Sequence, residues 1–427
     1  MNEKIYNSYL AILKSELVVA LGCTEPIAIA YAGAKARQIL GEMPENCIVS
    51  CSGNIVKNVK GVTVPNSSGL KGIDAAAVLG IVGGDPNRDL TVLETVTEQD
   101  VAQTKMLLTK GFCQSKLLED TAGLYIIMHV AAGKNTAEVT IADYHSNIVR
   151  ITKNGEVLFS KQEDDDSGSK QETEPDKSLL NVKDILMFAD QVAIADVEEL
   201  LSRQIRFNSA IAQEGLNRPY GVQVGRILMS DFDSDNVKLR AKAAAAAGSD
   251  ARMSGCPLPV VINSGSGNQG ITVTMPVVEY AKEQGASQEQ LYRALVVSNL
   301  VAIHQKKYIG SLSAYCGVVS AACGSGAGIA YLLGCSYEEI CNTITNTIAN
   351  IGGMVCDGAK PSCAAKIASA VEAAIMALHL SRKNRVFQPG EGLVKEDVEK
   401  TISSIGRMGR EGMKATDIEI LKIMLEK

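Results

Sequence analysis

The chain has 427 residues, 46% of them hydrophobic and 21% charged, a balance ordinary for a globular protein and long enough for two to three compact units. A net charge of −6, with no basic run interleaved with aromatics, argues against nucleic acid as a partner. Aromatics are only 4% and tryptophan is absent, so helix contacts must rest largely on Ala, Gly, Val, Ile and Leu.

The opening MNEKIYNSYLAILKSE is charged throughout and lacks an apolar signal core, which predicts a cytoplasmic location. In that reducing compartment the eleven cysteines are expected as buried thiols or metal ligands, not disulfides. Residues 4–20 show helical periodicity, with Ile5, Tyr9, Ile12 and Leu13 on one side. The helix stops at Gly22. Cys23-Thr24-Glu25-Pro26 follows, then a second apolar helix over about 27–40, with Thr24 as cap and Pro26 in its first turn. This places Cys23 in a tight turn between two helices, where it can face a site.

Residues 47–65 read as short strands with Gly and Asn breaks, 66–69 as a turn, and 90–110 as an amphipathic helix. From Leu124 to Phe159 the alternation predicts an antiparallel meander, with Gly133-Lys134-Asn135 and Asn154-Gly155 at its turns. Residues 161–178 are polar and acidic, an exposed linker. Beyond Leu179 the pattern is helical. Residues 308–337 carry no charge and are long enough to span a bilayer, but six glycines and five serines mark them as buried helices of a soluble core. The fold class is therefore α+β: an N-terminal α/β region with a meander (1–160), the linker (161–178) and a mostly helical bundle (179–427).

Four segments can carry chemistry. Cys356 and Cys363 bracket a loop containing Gly358 and Pro361, able to bend both sulfurs toward one point, as an iron–sulfur cluster requires; the spacing alone equally fits coincidence. Cys316 and Cys323 are seven apart on the charge-free segment, and either offers a third thiolate. Asn263-Ser264-Gly265-Ser266-Gly267-Asn268-Gln269-Gly270 follows a short apolar strand and presents backbone N–H groups and hydroxyls suited to a carboxylate or phosphate. It matches neither a Walker loop nor a dinucleotide fingerprint, and a plain structural turn is the alternative. His304-Gln305-Lys306-Lys307 precedes the charge-free segment, where it can bind an acidic substrate, move protons or simply be solvated. His129, His145 and His379 have no partners at ligand spacing and read as structural or surface residues.

Taken together, GCTEP at 22–26, NSGSGNQG at 263–270, HQKKYIG…LSAYCG at 304–317 and MVCDGAKPSC at 354–363 resemble the L-cysteine desulfidase group, which is related to the α chain of iron–sulfur L-serine dehydratases. The resemblance covers nearly the whole chain and is strongest from 250 to 380. It implies a [4Fe–4S] cluster held by Cys316, Cys356 and Cys363. It leaves Cys23 as either a fourth ligand or a catalytic thiolate.

The implied reaction removes the α-proton and the β-substituent of a small amino acid, L-cysteine or L-serine, to give pyruvate and ammonia. Asn263, Ser264, Ser266 and Asn268 would hold the carboxylate, and Cys23, His304 and Lys306 are the candidate proton carriers. The implied partners are a small-molecule substrate and, at most, further copies of the chain, with no membrane. Competing readings are a pyridoxal-phosphate β-eliminase, a non-catalytic iron–sulfur sensor and a structural zinc site. The first lacks a motif-placed lysine, and the last lacks a CxxC pair.

Overall fold

The structure is a computed structural model and describes residues 1–119, 121, 123–161, 175–231, 234–310 and 312–426. It is α+β: a sheet with helices in the N-terminal part, then a mostly helical part. Helix α1 (Glu3–Glu16), capped by the Asn2 side chain, buries Tyr9, Ile12 and Leu13. Strand β1 (Val19–Leu21) leads into α2 (Thr24–Leu40), whose Ala, Gly and Ile residues let it pack on several sides at once.

Strand β2 (Asn46–Ser52) ends where α3 (Gly53–Val59) begins, so the strands expected over 47–65 stop at Ser52. The segment GNIVKNV fits either period, and burying Ile55 and Val59 one helical turn apart decides for the helix. Next come α4 (Ile73–Gly83) and α5 (Glu98–Thr109). A reciprocal Thr97–Asp100 capping box starts α5 eight residues later than the pattern suggests.

Strands β3 (Cys113–Leu118), β4 (Tyr125–Ala132), β5 (Asn135–Ala142), β6 (Ile148–Lys153) and β7 (Glu156–Ser160) complete a sheet in the order β3-β2-β4-β5-β6-β7. Only the β2–β3 pair is parallel, and β4 to β7 form the expected meander. Ile126, Met128 and Val130 alternate inward on β4, which packs against α2. The acidic run expected as a linker falls mainly on 162–174, outside the described residues.

The second part contains α6 (Val182–Gln191), α7 (Ile194–Asn217), α8 (Val224–Asp231), α9 (Val237–Met253), β8 (Pro259–Val261) and α10 (Gly267–Glu283). It continues with α11 (Gln288–Ile309), α12 (Gly317–Leu332), α13 (Tyr337–Ile351), α14 (Cys363–Ser381), α15 (Val398–Arg407) and α16 (Lys414–Leu425). Helix α12 is the centre of the bundle. It is buried without a break from Val318 to Ala330 and packs against α10, α11, α13 and α14, which explains its lack of charge. Helix α14 is long and apolar enough to cross a membrane, yet half of its apolar window is buried, against α9, α12 and α13.

Strand β1 pairs antiparallel with β8, Val19 opposite Val261. This two-stranded link joins the N-terminal segment to the helical part, and both strands run directly into loops that line the same cavity.

Candidate active site

A cavity of about 640 Å³ opens where the two parts meet. Four helices begin at its wall: α2 after Cys23, α10 after Ser266, α12 after Cys316 and α14 at Cys363. None of these four starts has a side-chain cap bond among the described residues. Their first-turn N–H groups and aligned peptide dipoles make the cavity hospitable to negative charge.

One wall is built from sulfur. Tyr315 and Val355 form an antiparallel bridge. The Cys316 N–H donates to the Met354 carbonyl at 2.9 Å, and the Cys356 N–H to the Ala314 carbonyl at 2.6 Å. The two cysteines therefore come side by side from segments 40 residues apart in sequence, and the Cys316 thiol hydrogen-bonds to the Cys356 sulfur. The chain then reverses at Gly358, at φ +96°, against the carbonyl of Lys57, and α14 starts at Cys363. The Cys363 thiol points back to the Gly358 carbonyl at 3.8 Å.

Backbone N–H groups of Val318, Gly358 and Lys360 favour the ionised forms of Cys316, Cys356 and Cys363 respectively. The Cys316 hydrogen bond, helped by Lys57 and Lys366, brings the Cys356 thiol down to about 6 despite burial. The same hydrogen bond and burial push Cys316 up, and burial raises Cys363.

Beside the sulfurs lie the Gly-rich loop and the start of α2, with Cys23 packed in one cluster with Cys363. Asn263 and Ser266 pair across a tight turn whose central residues, Ser264 and Gly265, are left-handed at φ +50° and +75°. Thr24 Oγ1 donates to the Gly265 carbonyl at 3.0 Å and ties this turn to α2. Ser264, Ser266 and Asn268 line the cavity. Asn263 turns away and donates to Asn299 Oδ1 at 3.0 Å.

Glu25 is buried beside them. It accepts from the Cys23 thiol at 3.0 Å, from Thr24 at 3.1 Å and from Asn58 at 3.1 Å, and His145 Nε2 stands 3.9 Å away, at ion-pair distance rather than in a hydrogen bond. Burial pushes its carboxyl up, but His145, Cys23 and Arg252 outweigh this and hold it at about 2. Burial and the neighbouring carboxylate drive Cys23 the other way, well above an ordinary thiol, so Cys23 is a neutral donor here.

Of His304 and Lys306, both expected as proton carriers, Lys306 lines the cavity and His304 does not. Burial lowers Lys306 to about 8, against the pull of Cys356 and Cys316. His304 lies on another face of α11, fully buried, with Nε2 2.7 Å from Glu399. The segment 304–307 is thus the last part of α11, not a solvated start of the next helix.

Glu25, Asn58, Arg252 and Tyr315 carry no site signal of their own in the sequence, and they stand here with Gln269 of the Gly-rich loop and with His145, expected as a structural or surface residue. All six line the cavity. Five of the fourteen buried polar atoms without a partner among the described residues belong to this lining: His145 Nε2, Arg252 Nε, Asn268 Oδ1, Gln269 Oε1 and the Tyr315 hydroxyl. Each such atom costs about 1–3 kcal/mol, so their gathering at one cavity marks a place finished by a ligand.

Residues 87–422 match the family described as the serine dehydratase alpha chain, and the chain belongs to that family. It is 55% identical over 421 residues to a UPF0597 protein of Lachnoclostridium phytofermentans, covering 99% of this chain and 100% of the relative. A UPF0597 protein of Desulfitobacterium hafniense is 52% identical over 423 residues, covering 99% and 97% of the two chains. One of Treponema denticola is 44% identical over 430 residues, covering 100% and 99%. The kinship read from the four motifs holds at the level of this family.

Proposed function

We propose that the chain is a cytoplasmic iron–sulfur lyase that eliminates the β-substituent of a small L-amino acid, L-cysteine or L-serine, to give pyruvate, ammonia and hydrosulfide or water. The observation that carries the reading is the wall of three thiols, Cys316, Cys356 and Cys363, inside a cavity ringed by uncapped helix starts. Among the described residues no three His, Cys, Asp or Glu side chains stand close enough to share a single metal ion. A four-iron cluster asks for something different: thiolates set apart around its corners, with donors to their sulfurs.

These residues fit that need. Cys316 and Cys356 are adjacent, Cys363 faces them across the Gly358 turn, each sulfur has a backbone N–H that favours thiolate, and lysines add to this at Cys356 and Cys363. They would hold a [4Fe–4S] cluster, which supplies a Lewis-acidic iron when only three thiolates bind it.

The remaining steps belong to the protein. Lys306, at about 8, is both acid and base near neutral pH and is the group best placed to take the α-proton. Glu25 stays ionised and holds Cys23, Thr24 and Asn58 in place. The tight turn and Glu25 line the same cavity as the sulfurs, where they would help to hold the substrate.

The test is anaerobic reconstitution with iron and sulfide, followed by a pyruvate assay on L-cysteine and L-serine without added pyridoxal phosphate. Cys356→Ala should lose bound iron and turnover together. Cys335→Ala and Cys341→Ala, outside the cavity, should keep both. Full activity in an iron-free preparation would overturn the reading and favour the pyridoxal-phosphate enzyme.

A further inference from the structure

Arg252 is the penultimate residue of α9, is 2% exposed, and yet lines the cavity. Its Nε is buried without a partner, and among the described residues no hydrogen bond or ion pair engages its guanidinium. A buried arginine cannot shed its proton, so an unpaired one is a standing cost that folding alone does not explain. Glu25, the nearby carboxylate whose ionised form Arg252 favours, is already occupied by Cys23, Thr24 and Asn58.

The backbone makes room for this charge. Gly267 opens α10, and a Cβ there would stand 2.2 Å from Arg252 Nε and 2.7 Å from Cζ. Any side chain at 267 would evict the guanidinium. The planar donor fork thus lies against the first turn of α10, whose N–H groups have no side-chain cap. Two independent sources of positive field meet at one point. Next to it, the amides of Asn268 and Gln269 each keep an unpartnered oxygen, Oδ1 and Oε1, in the same cavity.

We propose that Arg252 and the uncapped first turn of α10 are the anchor for the carboxylate of an α-amino acid, and that the Asn268 and Gln269 amide oxygens take its ammonium. Resting on the lyase reading, this names what grips the substrate. It assigns Ser264 and Ser266 to the wall and leaves Lys306 free to move protons. An arginine suits the grip because its two parallel N–H groups match two carboxylate oxygens.

The test is calorimetric titration of the full-length protein, before and after reconstitution with iron and sulfide. The probes are L-alanine, which has no β-leaving group, and ethylamine, which lacks the carboxylate. The wild type should bind L-alanine and not ethylamine. Arg252→Gln should weaken L-alanine at least about thirtyfold, the usual effect of removing one partner of a buried charge pair. Arg252→Lys, which keeps the charge, should weaken it about tenfold or more through loss of the fork.

Wild-type affinity for L-alanine in Arg252→Gln or Arg252→Lys overturns the anchor, as does failure of the wild type to bind L-alanine in either preparation. If Arg252→Gln does not fold, Arg252→Lys decides. The lyase reading fails separately, in the pyruvate assay: a protein that binds L-alanine through Arg252 but makes no pyruvate keeps the anchor and loses the reaction.

Discussion

Gly358 is where backbone geometry and the proposed cluster site depend on each other, and an alanine there separates two costs. Its φ of +96° disfavours any L side chain, and a Cβ would lie 2.4 Å from the Lys57 carbonyl oxygen. Gly353 is the matched control: its φ is +114°, but a Cβ there would meet only Met408 Cε, at 3.8 Å. Gly353→Ala therefore carries backbone strain alone, about 1–3 kcal/mol. Gly358→Ala carries the same strain plus the overlap with α3, together about 2–6 kcal/mol.

The overlap also pushes the turn that supplies an N–H to Cys356 and a carbonyl to Cys363. Urea unfolding of both variants gives the stabilities, compared at constant m. Iron per chain after anaerobic reconstitution reports the site. Gly358→Ala should be the less stable of the two and bind less iron, while Gly353→Ala keeps its iron. Equal stability and equal iron in the two variants would refute the reasoning.

Two further outcomes follow from buried charges away from the sulfurs. Burial raises the Asp250 carboxyl from its ordinary 3.8 to about 6, so the folded state binds that proton more tightly and loses stability as pH climbs from about 4 to 6. The stability difference between Asp250→Asn and wild type should swing toward the variant by about 3 kcal/mol from pH 3.5 to pH 7; a difference that stays flat with pH sinks the assignment. His304 is engaged with Glu399 and does not line the cavity, so His304→Gln should cost about 1–3 kcal/mol in stability while kcat/KM stays within about twofold of wild type. A hundredfold loss of turnover with iron retained would return His304 to the chemistry.

Sequence pattern alone revealed the meander because polar and apolar residues alternate along β5, and Gly133-Lys134-Asn135 and Asn154-Gly155 mark its turns. The burial of α12 was equally legible, since thirty uncharged residues rich in Gly and Ser suit a crowded bundle better than a bilayer. The helix over 53–59 was not, because seven residues with Ile and Val at mixed spacing satisfy both periods. At the site, Cys316, Cys356, Cys363, Ser264, Ser266, Asn268, Lys306 and Cys23 come together, while Asn263 and His304 are engaged elsewhere.

Arg252 and His145 were illegible for a simple reason. One charged residue at the end of an alanine-rich helix, or one histidine after a strand, looks like surface until the fold surrounds it. Only the tertiary arrangement shows that Arg252 is buried without a hydrogen bond or ion pair among the described residues.

The convergence of four helix starts has an evolutionary side. Peptide dipoles are installed by the fold itself, so no point mutation can switch off the attraction they exert. Residues such as Ser264, Val318 and Tyr315 can then vary in size and polarity on a background that already welcomes an anion. Under the proposed lyase reading, a change of leaving group from hydrosulfide to hydroxide would need altered shape, not altered charge.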